Sequence, residues 1–187
     1  MRLGPEDRKQ IHDAIAAAEA KTTAHLAVTI VPASDRYALY PLLWAAMIAF
    51  LVGCALAFAR PDLSLRMGFI FEAGAFAAAA LLFEPFASRL LIAPRAVKRD
   101  KARALAHREF AARILGAHRD GILVFASLGE RHVEIIATRA VHDAVGEAEW
   151  ADITARFAAS AAQARIVDAA LGAIADCGLH LARHFPR

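Results

Sequence analysis

Residues 37–59 read YALYPLLWAAMIAFLVGCALAFA, twenty-three positions without a charged side chain, bracketed by Arg36 and Arg60. This stretch decides the fold because it changes the solvent. A helix of about 20 apolar residues spans the hydrocarbon core of a bilayer. A second apolar run, MGFIFEAGAFAAAALLFEPFAS, covers residues 67–88 after a short connection. It carries Glu72 and Glu84, one towards each end. A carboxylate at mid-membrane costs about 2.5–3.5 kcal/mol on insertion scales, and less away from the centre. The two runs therefore predict a transmembrane helical hairpin over residues 37–88.

Lys and Arg set its orientation. Arg89, Arg95, Lys98, Arg99, Lys101, Arg103, Arg108 and Arg113 follow the second run, against only Asp100 and Glu109. The positive-inside rule then places both termini in the cytoplasm and the loop from Arg60 to Arg66 outside. The opening MRLGPEDRKQIHDA has no apolar core, so no cleavable signal peptide is expected, and the first span acts as the insertion signal.

The chain is 58% hydrophobic, against about 45–50% for a soluble domain. Without the hairpin, about 135 of the 187 residues remain, enough for one modest core. Net charge is +3, with the basic residues gathered beside the membrane, where anionic lipid headgroups are the expected partners. No aromatic-basic stripe is present, so nucleic acid is not an expected partner. Cys54 and Cys177 stand in helical patterns without metal-site or disulfide spacing. Small residues at Gly68, Ala73, Gly74, Ala77 and Ala78 would let another helix approach the second span, in a homo-oligomer or against another membrane protein.

Either side of the hairpin the pattern is that of a small α/β domain. Gly4-Pro5-Glu6-Asp7 opens a helix whose apolar face holds Ile11 and Ile15. AHLAVTIV, residues 24–31, alternates with a period of two and ends at Pro32. After the hairpin, residues 95–116 carry an apolar stripe at Ala102, Ala106, Phe110 and Ile114, and a polar one at Arg99, Arg103 and His107. GILVFASL, residues 121–128, is almost unbroken apolar, as a strand buried on both faces requires. Gly129-Glu130-Arg131 turns the chain into HVEIIAT, residues 132–138. Helices are expected over about 149–162 and 164–184. A strand cannot stand alone, so the strand before the hairpin must pair with those after it. The expected fold is α/β of the α+β kind: a small mixed sheet with flanking helices, interrupted by the hairpin. Residues 1–36 and 89–187 form one split cytoplasmic domain, and 37–88 the membrane insertion.

The order of elements resembles the TPM-domain family. The segments that carry the likeness are AIAAAEAKTTAHLAVTIVPASDRYALYPLLW, residues 14–44, and HRDGILVFASLGERHVEIIATRAVHDAVGEAEW, residues 118–150. Gly121-Ile122-Leu123-Val124 and Glu134-Ile135-Ile136 match the family's two later strands. Asp35-Arg36-Tyr37, Glu130-Arg131 and Trp150 are similar to its bacterial membrane subgroup, which has this split architecture. The resemblance implies a TPM-like fold in the bacterial inner membrane. Some plant members are described as acid phosphatases or photosystem repair factors that bind a divalent ion through acids. This chain departs from them: no acidic Thr-Asp-Asp segment precedes its first helix, and Thr138 stands where the bacterial pattern often has an acid.

No residue set announces an enzyme. Ser127 in Phe-Ala-Ser-Leu-Gly lacks the first glycine of a nucleophile elbow and reads as a packed serine. His180 and His184 share a helix face without the glutamate of a zinc motif. No phosphate loop or dinucleotide fingerprint occurs, so neither a cofactor nor a metal is expected. Glu130, Arg131, Glu134 and Arg139 read as ion pairs around a strand hairpin. If the first and second strands run parallel, Glu130 and Arg131 come beside Asp35 and Arg36. Asp35, Arg36, Glu130, Arg131 and Glu134 are then the candidate surface site. The expected function is a membrane-anchored interaction domain that assists assembly or maintenance of other membrane proteins. A metal-dependent phosphatase at the membrane surface and an oligomeric channel or transport subunit are the alternatives.

Overall fold

A computed structural model describes residues 4–83, 90, 92–163 and 166–187. The end of the second apolar run, with Glu84 and Ser88, lies outside them, as does Arg89. The chain divides into two compact units, Met1–Ser34 with Arg99–Arg187, and Asp35–Lys98.

In the first unit, helix α1 spans Pro5–Glu19. The Asp7 carboxylate accepts the Gly4 N–H at 2.8 Å, and Glu6 and Asp7 sit in the positive first turn. Strand β1 is His25–Val31, β2 is Gly121–Ser127 and β3 is His132–Ala137. The sheet order is β1-β2-β3, with β1 parallel and β2–β3 antiparallel. Val28 lies opposite Val124, which lies opposite Ile135. The expected partner of the first strand is the one found. All seven residues of β2 are buried, which is why its sequence lacks alternation. Gly121 makes the pairing possible: a Cβ there would lie 2.3 Å from the His25 carbonyl oxygen.

The two faces of the sheet carry separate cores. On one, Leu26, Ile122 and Val124 pack with Trp150, Ile153, Phe157, Ile174 and Leu181. These come from helices α6, Glu147–Ala162, and α7, Ile166–His184. Helix α1 closes the same side, and Gly178 lets it approach α7 so nearly that a Cβ would meet Ala18 Cβ at 2.9 Å. Arg156 on α6 holds Asp152 and, at 3.0 Å, Asp176 on α7. On the other face, Ala27, Leu123 and Phe125 meet Ala106 and Ile114. Ala106 belongs to helix α4, Arg95–Arg113, whose apolar stripe is the expected one. A 3-10 turn at Leu115–Ala117, ending in left-handed His118, takes the place of its expected last turn. The unit is an α+β fold, a small mixed sheet with flanking helices. The sequence reading omitted helix α5, Arg139–Val145, because seven residues are too few to display a helical period before Gly146.

The second unit is a helical hairpin. Helix α2 runs Leu39–Ala59 and α3 runs Leu65–Leu82. Pro41 falls in the first turn of α2, where the missing N–H has no helical partner to lose. Both helices are long and apolar enough to cross a membrane. Only 11% and 6% of their apolar windows are buried within the protein. Pro41, Ala45 and Ala49 of α2 and Ala79 of α3 are their buried residues. Gly53 leaves room for the Glu72 carboxyl group, which a Cβ would meet at 3.3 Å.

Candidate functional site

The parallel pairing of β1 with β2 brings the segment after β1 to the β2–β3 turn. There, Ser34, Ser127 and Glu130 form a closed polar clamp. The Ser34 N–H donates to Glu130 Oε1 at 2.9 Å. Ser34 Oγ contacts Ser127 Oγ at 2.9 Å, and Ser127 Oγ donates to Glu130 Oε2. Ser127 is buried, so a partner for its hydroxyl is worth about 1–3 kcal/mol over leaving it unpaired. The geometry suits fastening: both carboxylate oxygens are engaged in joining the two parallel strands where the chain leaves the sheet. Arg131 follows in the turn with positive φ, its N–H bonded to the Leu128 carbonyl, and its side chain is exposed.

Glu134 belongs to a second group. Alternation along β3 puts it on the face of α4, opposite Phe125. His132 Nε2 stands 3.1 Å from its Oε2, while Arg103 Nε and His107 Nε2 lie 3.7 and 3.9 Å from Oε1. Burial pushes the Glu134 carboxyl up. The His132 hydrogen bond, with the charges of His132, His107 and Arg103, outweighs it and holds the group below its usual 4.5. The result is a carboxylate kept ionised inside a basic ring.

Three of the five candidate residues, Glu130, Arg131 and Glu134, lie in the sheet unit. Glu130 and Arg131 share the turn, and Glu134 turns to α4 with different partners. Asp35 and Arg36 follow Ser34 into the hairpin unit, where the Asp35 carboxylate accepts the Arg36 N–H at 2.6 Å. Arg139 pairs instead with Asp143 along α5. Sequence reasoning missed Ser34 as a partner of Glu130, and missed His132 altogether. It did mark Arg103 and His107 as a polar stripe, and that spacing was the available signal.

Cys177 is fully buried in the core beneath the sheet. Burial, assisted by the charge of Asp176, pushes the Cys177 thiol up to about 12, which leaves it a poor nucleophile. Among the described residues, no three His, Cys, Asp or Glu side chains group so as to hold a metal ion.

No family model and no curated protein matches the chain. Among solved structures it is similar to the NMR structure of BA42 protein from the psychrophilic bacterium Bizionia argentinensis. The two are 15% identical with a TM-score of 0.55, over 100% of this chain and 86% of that one. The likeness is one of fold.

Proposed function

We propose that this chain is a membrane-anchored, TPM-like interaction domain without catalytic activity. It assists the assembly or maintenance of other proteins in the bacterial inner membrane. Its hairpin crosses that membrane twice, and both termini lie in the cytoplasm. The observation that carries the reading is topological. The hairpin is inserted between β1 and β2, which are neighbours in one sheet. An anchor placed there is part of the domain's own framework, unlike a tail that could be detached. The hairpin's large side chains support the lipid contact: Phe58 and Leu65 are 88% and 93% exposed, and apolar surface on that scale needs lipid or protein cover. The clamp supports the non-catalytic reading, since Glu130 and Ser127 engage each other and Ser34.

Site-specific photo-crosslinking in native membranes, followed by mass spectrometry, tests the function. The expected result is a defined set of membrane proteins attached to the sheet unit, whose abundance falls when the chain is deleted. Unchanged abundances across the membrane proteome would overturn the maintenance role. Phosphatase assays with Ca²⁺, Mg²⁺ or Mn²⁺ should show no turnover. Turnover that disappears in Glu134→Gln would replace this reading with the hydrolytic one. Reporter fusions at Gly4 and Arg187 should both signal cytoplasm; opposite signals would break the two-span topology.

A further inference from the structure

We propose that the free edge of β1 is a docking site for an extended strand of a partner protein, and that this strand carries an acidic side chain. The inference deepens the interaction-domain reading and rests on it.

The backbone fixes the geometry. The His25 N–H bonds to the Asp120 carbonyl, and the Val31 carbonyl accepts from the Leu128 N–H. In a parallel ladder such bonds recur at every second residue. Residues 25, 27, 29 and 31 therefore direct their backbone groups to β2, and Leu26, Val28 and Ile30 direct theirs to the opposite side. The Leu26 N–H is capped by Glu19 Oε1 at 2.9 Å. The N–H groups of Val28 and Ile30 have no such cap among the described residues. Proteins usually cover or charge an exposed strand edge; here the cover reaches only the first of three positions.

A groove of about 790 Å³ runs along this edge, from His25 to Val31. Helix α1 forms one wall with Ile11 and Ile15, and α4 contributes Glu109 and Arg113. Donors and acceptors repeating every second residue, beside an apolar wall, match an added strand. Its alternate side chains would rest on Ile11 and Ile15.

Charge selects the occupant. The acids lining the groove are already engaged. Glu19 holds His25 and the Leu26 N–H, and Glu109 holds Arg113 at 2.8 Å. Arg8 and His12, one turn apart on α1, line the same groove without an acidic partner among the described residues. An acidic side chain on the incoming strand would complete them. A second copy fits less well, because symmetric edge pairing would bring this cationic wall against its own counterpart.

The test uses the full chain in nanodiscs and a displayed library of random heptapeptides. The expected selection enriches peptides of alternating β-branched residues with an acid, and these protect the Val28 and Ile30 amides from hydrogen exchange. Val28→Pro removes one free-side N–H and leaves the β1–β2 ladder intact, because proline is tolerated on such an edge. It should weaken the selected peptides about tenfold. Arg8→Glu should abolish the preference for acids without changing the fold. Failure to enrich any sequence overturns the site. Binders that ignore Val28→Pro and protect other amides also overturn it, while the interaction reading stands. Concentration-dependent protection of the two amides without peptide identifies a second copy as the occupant and overturns the proposal. Peptide binding at β1 without crosslinked membrane partners would instead remove the maintenance role and keep the site.

Discussion

The two units of this chain use the same apolar residue types in opposite ways. In the sheet unit, Phe125, Leu123 and Ile122 are fully buried and meet side chains from both flanking layers. In the hairpin, Phe58, Leu65 and Leu81 are exposed, and apart from Pro41 the buried positions of the two helices belong to alanines. Small residues between the helices and large ones outside are the arrangement expected when the surroundings are as apolar as the side chains. Hydropathy alone thus says that a segment avoids water. It does not say whether protein or lipid replaces the water.

Glycine substitutions give the largest contrast between the units. Gly121→Ala forces a methyl group into the His25 carbonyl, a backbone atom that cannot swing aside. Overpacking of a well-packed core costs about 1–3 kcal/mol and occasionally more. The sheet unit should lose stability at or above the top of that range, because β1 and β2 must separate to relieve the contact. Gly68→Ala in α3 meets nothing within 4 Å. It should leave stability unchanged or raise it by up to about 1 kcal/mol through helix propensity. Denaturation of both variants in lipid nanodiscs checks this, with Trp150 emission following the sheet unit and Trp44 emission the hairpin, each read in a background that lacks the other tryptophan. Similar losses at the two positions would break the comparison, since the hairpin would then be packed like a soluble core.

The clamp is the next smaller effect. Ser127→Ala leaves the Glu130 carboxylate without one donor, and Glu130→Gln removes its charge while keeping its shape. Each should cost about 1–3 kcal/mol, the range for disturbing a buried hydrogen-bonded group. The double variant should cost less than the sum, because both changes act on one network. Additive losses in chemical denaturation would show that the two residues act independently.

These contrasts explain what could be read from the sequence. The uncharged run 37–59 revealed the first helix of the hairpin because its period did not matter; its length did. Residues 121–128 revealed a central strand because burial on both faces abolishes alternation. The pairing of β1 with β2 followed from the lone strand's need of a partner. The clamp was hidden because Ser34 and Ser127 stand 93 positions apart, and neither has a local signature. The Glu134 group was half visible. Arg103 and His107 declared a polar helix face, but their meeting with β3 depends on which face of the sheet α4 covers. A single apolar stripe cannot decide that.

The smallest effect is the pH response of that group, and it bears on the sheet unit alone. In the folded chain Glu134 lies below its usual 4.5, whereas in the unfolded chain it has lost its basic neighbours. The folded state therefore binds this proton less readily. Its contribution to stability is fully present above 4.5 and is lost as pH falls through the folded-state value beneath it. Arg103 and His107 are more than half exposed, so their two pairs with Glu134 should contribute only about 0.2–1 kcal/mol. Thermal melts of wild type and Glu134→Gln should differ slightly at pH 7 and converge as the pH drops below 4.5. A gap that persists unchanged into that acidic range would mean that the ionised carboxylate is not what the basic ring stabilises. The hairpin, whose Glu72 stands against Gly53 rather than within a basic ring, supplies the control. Glu72→Gln should leave that acid-side dependence of the sheet unit intact.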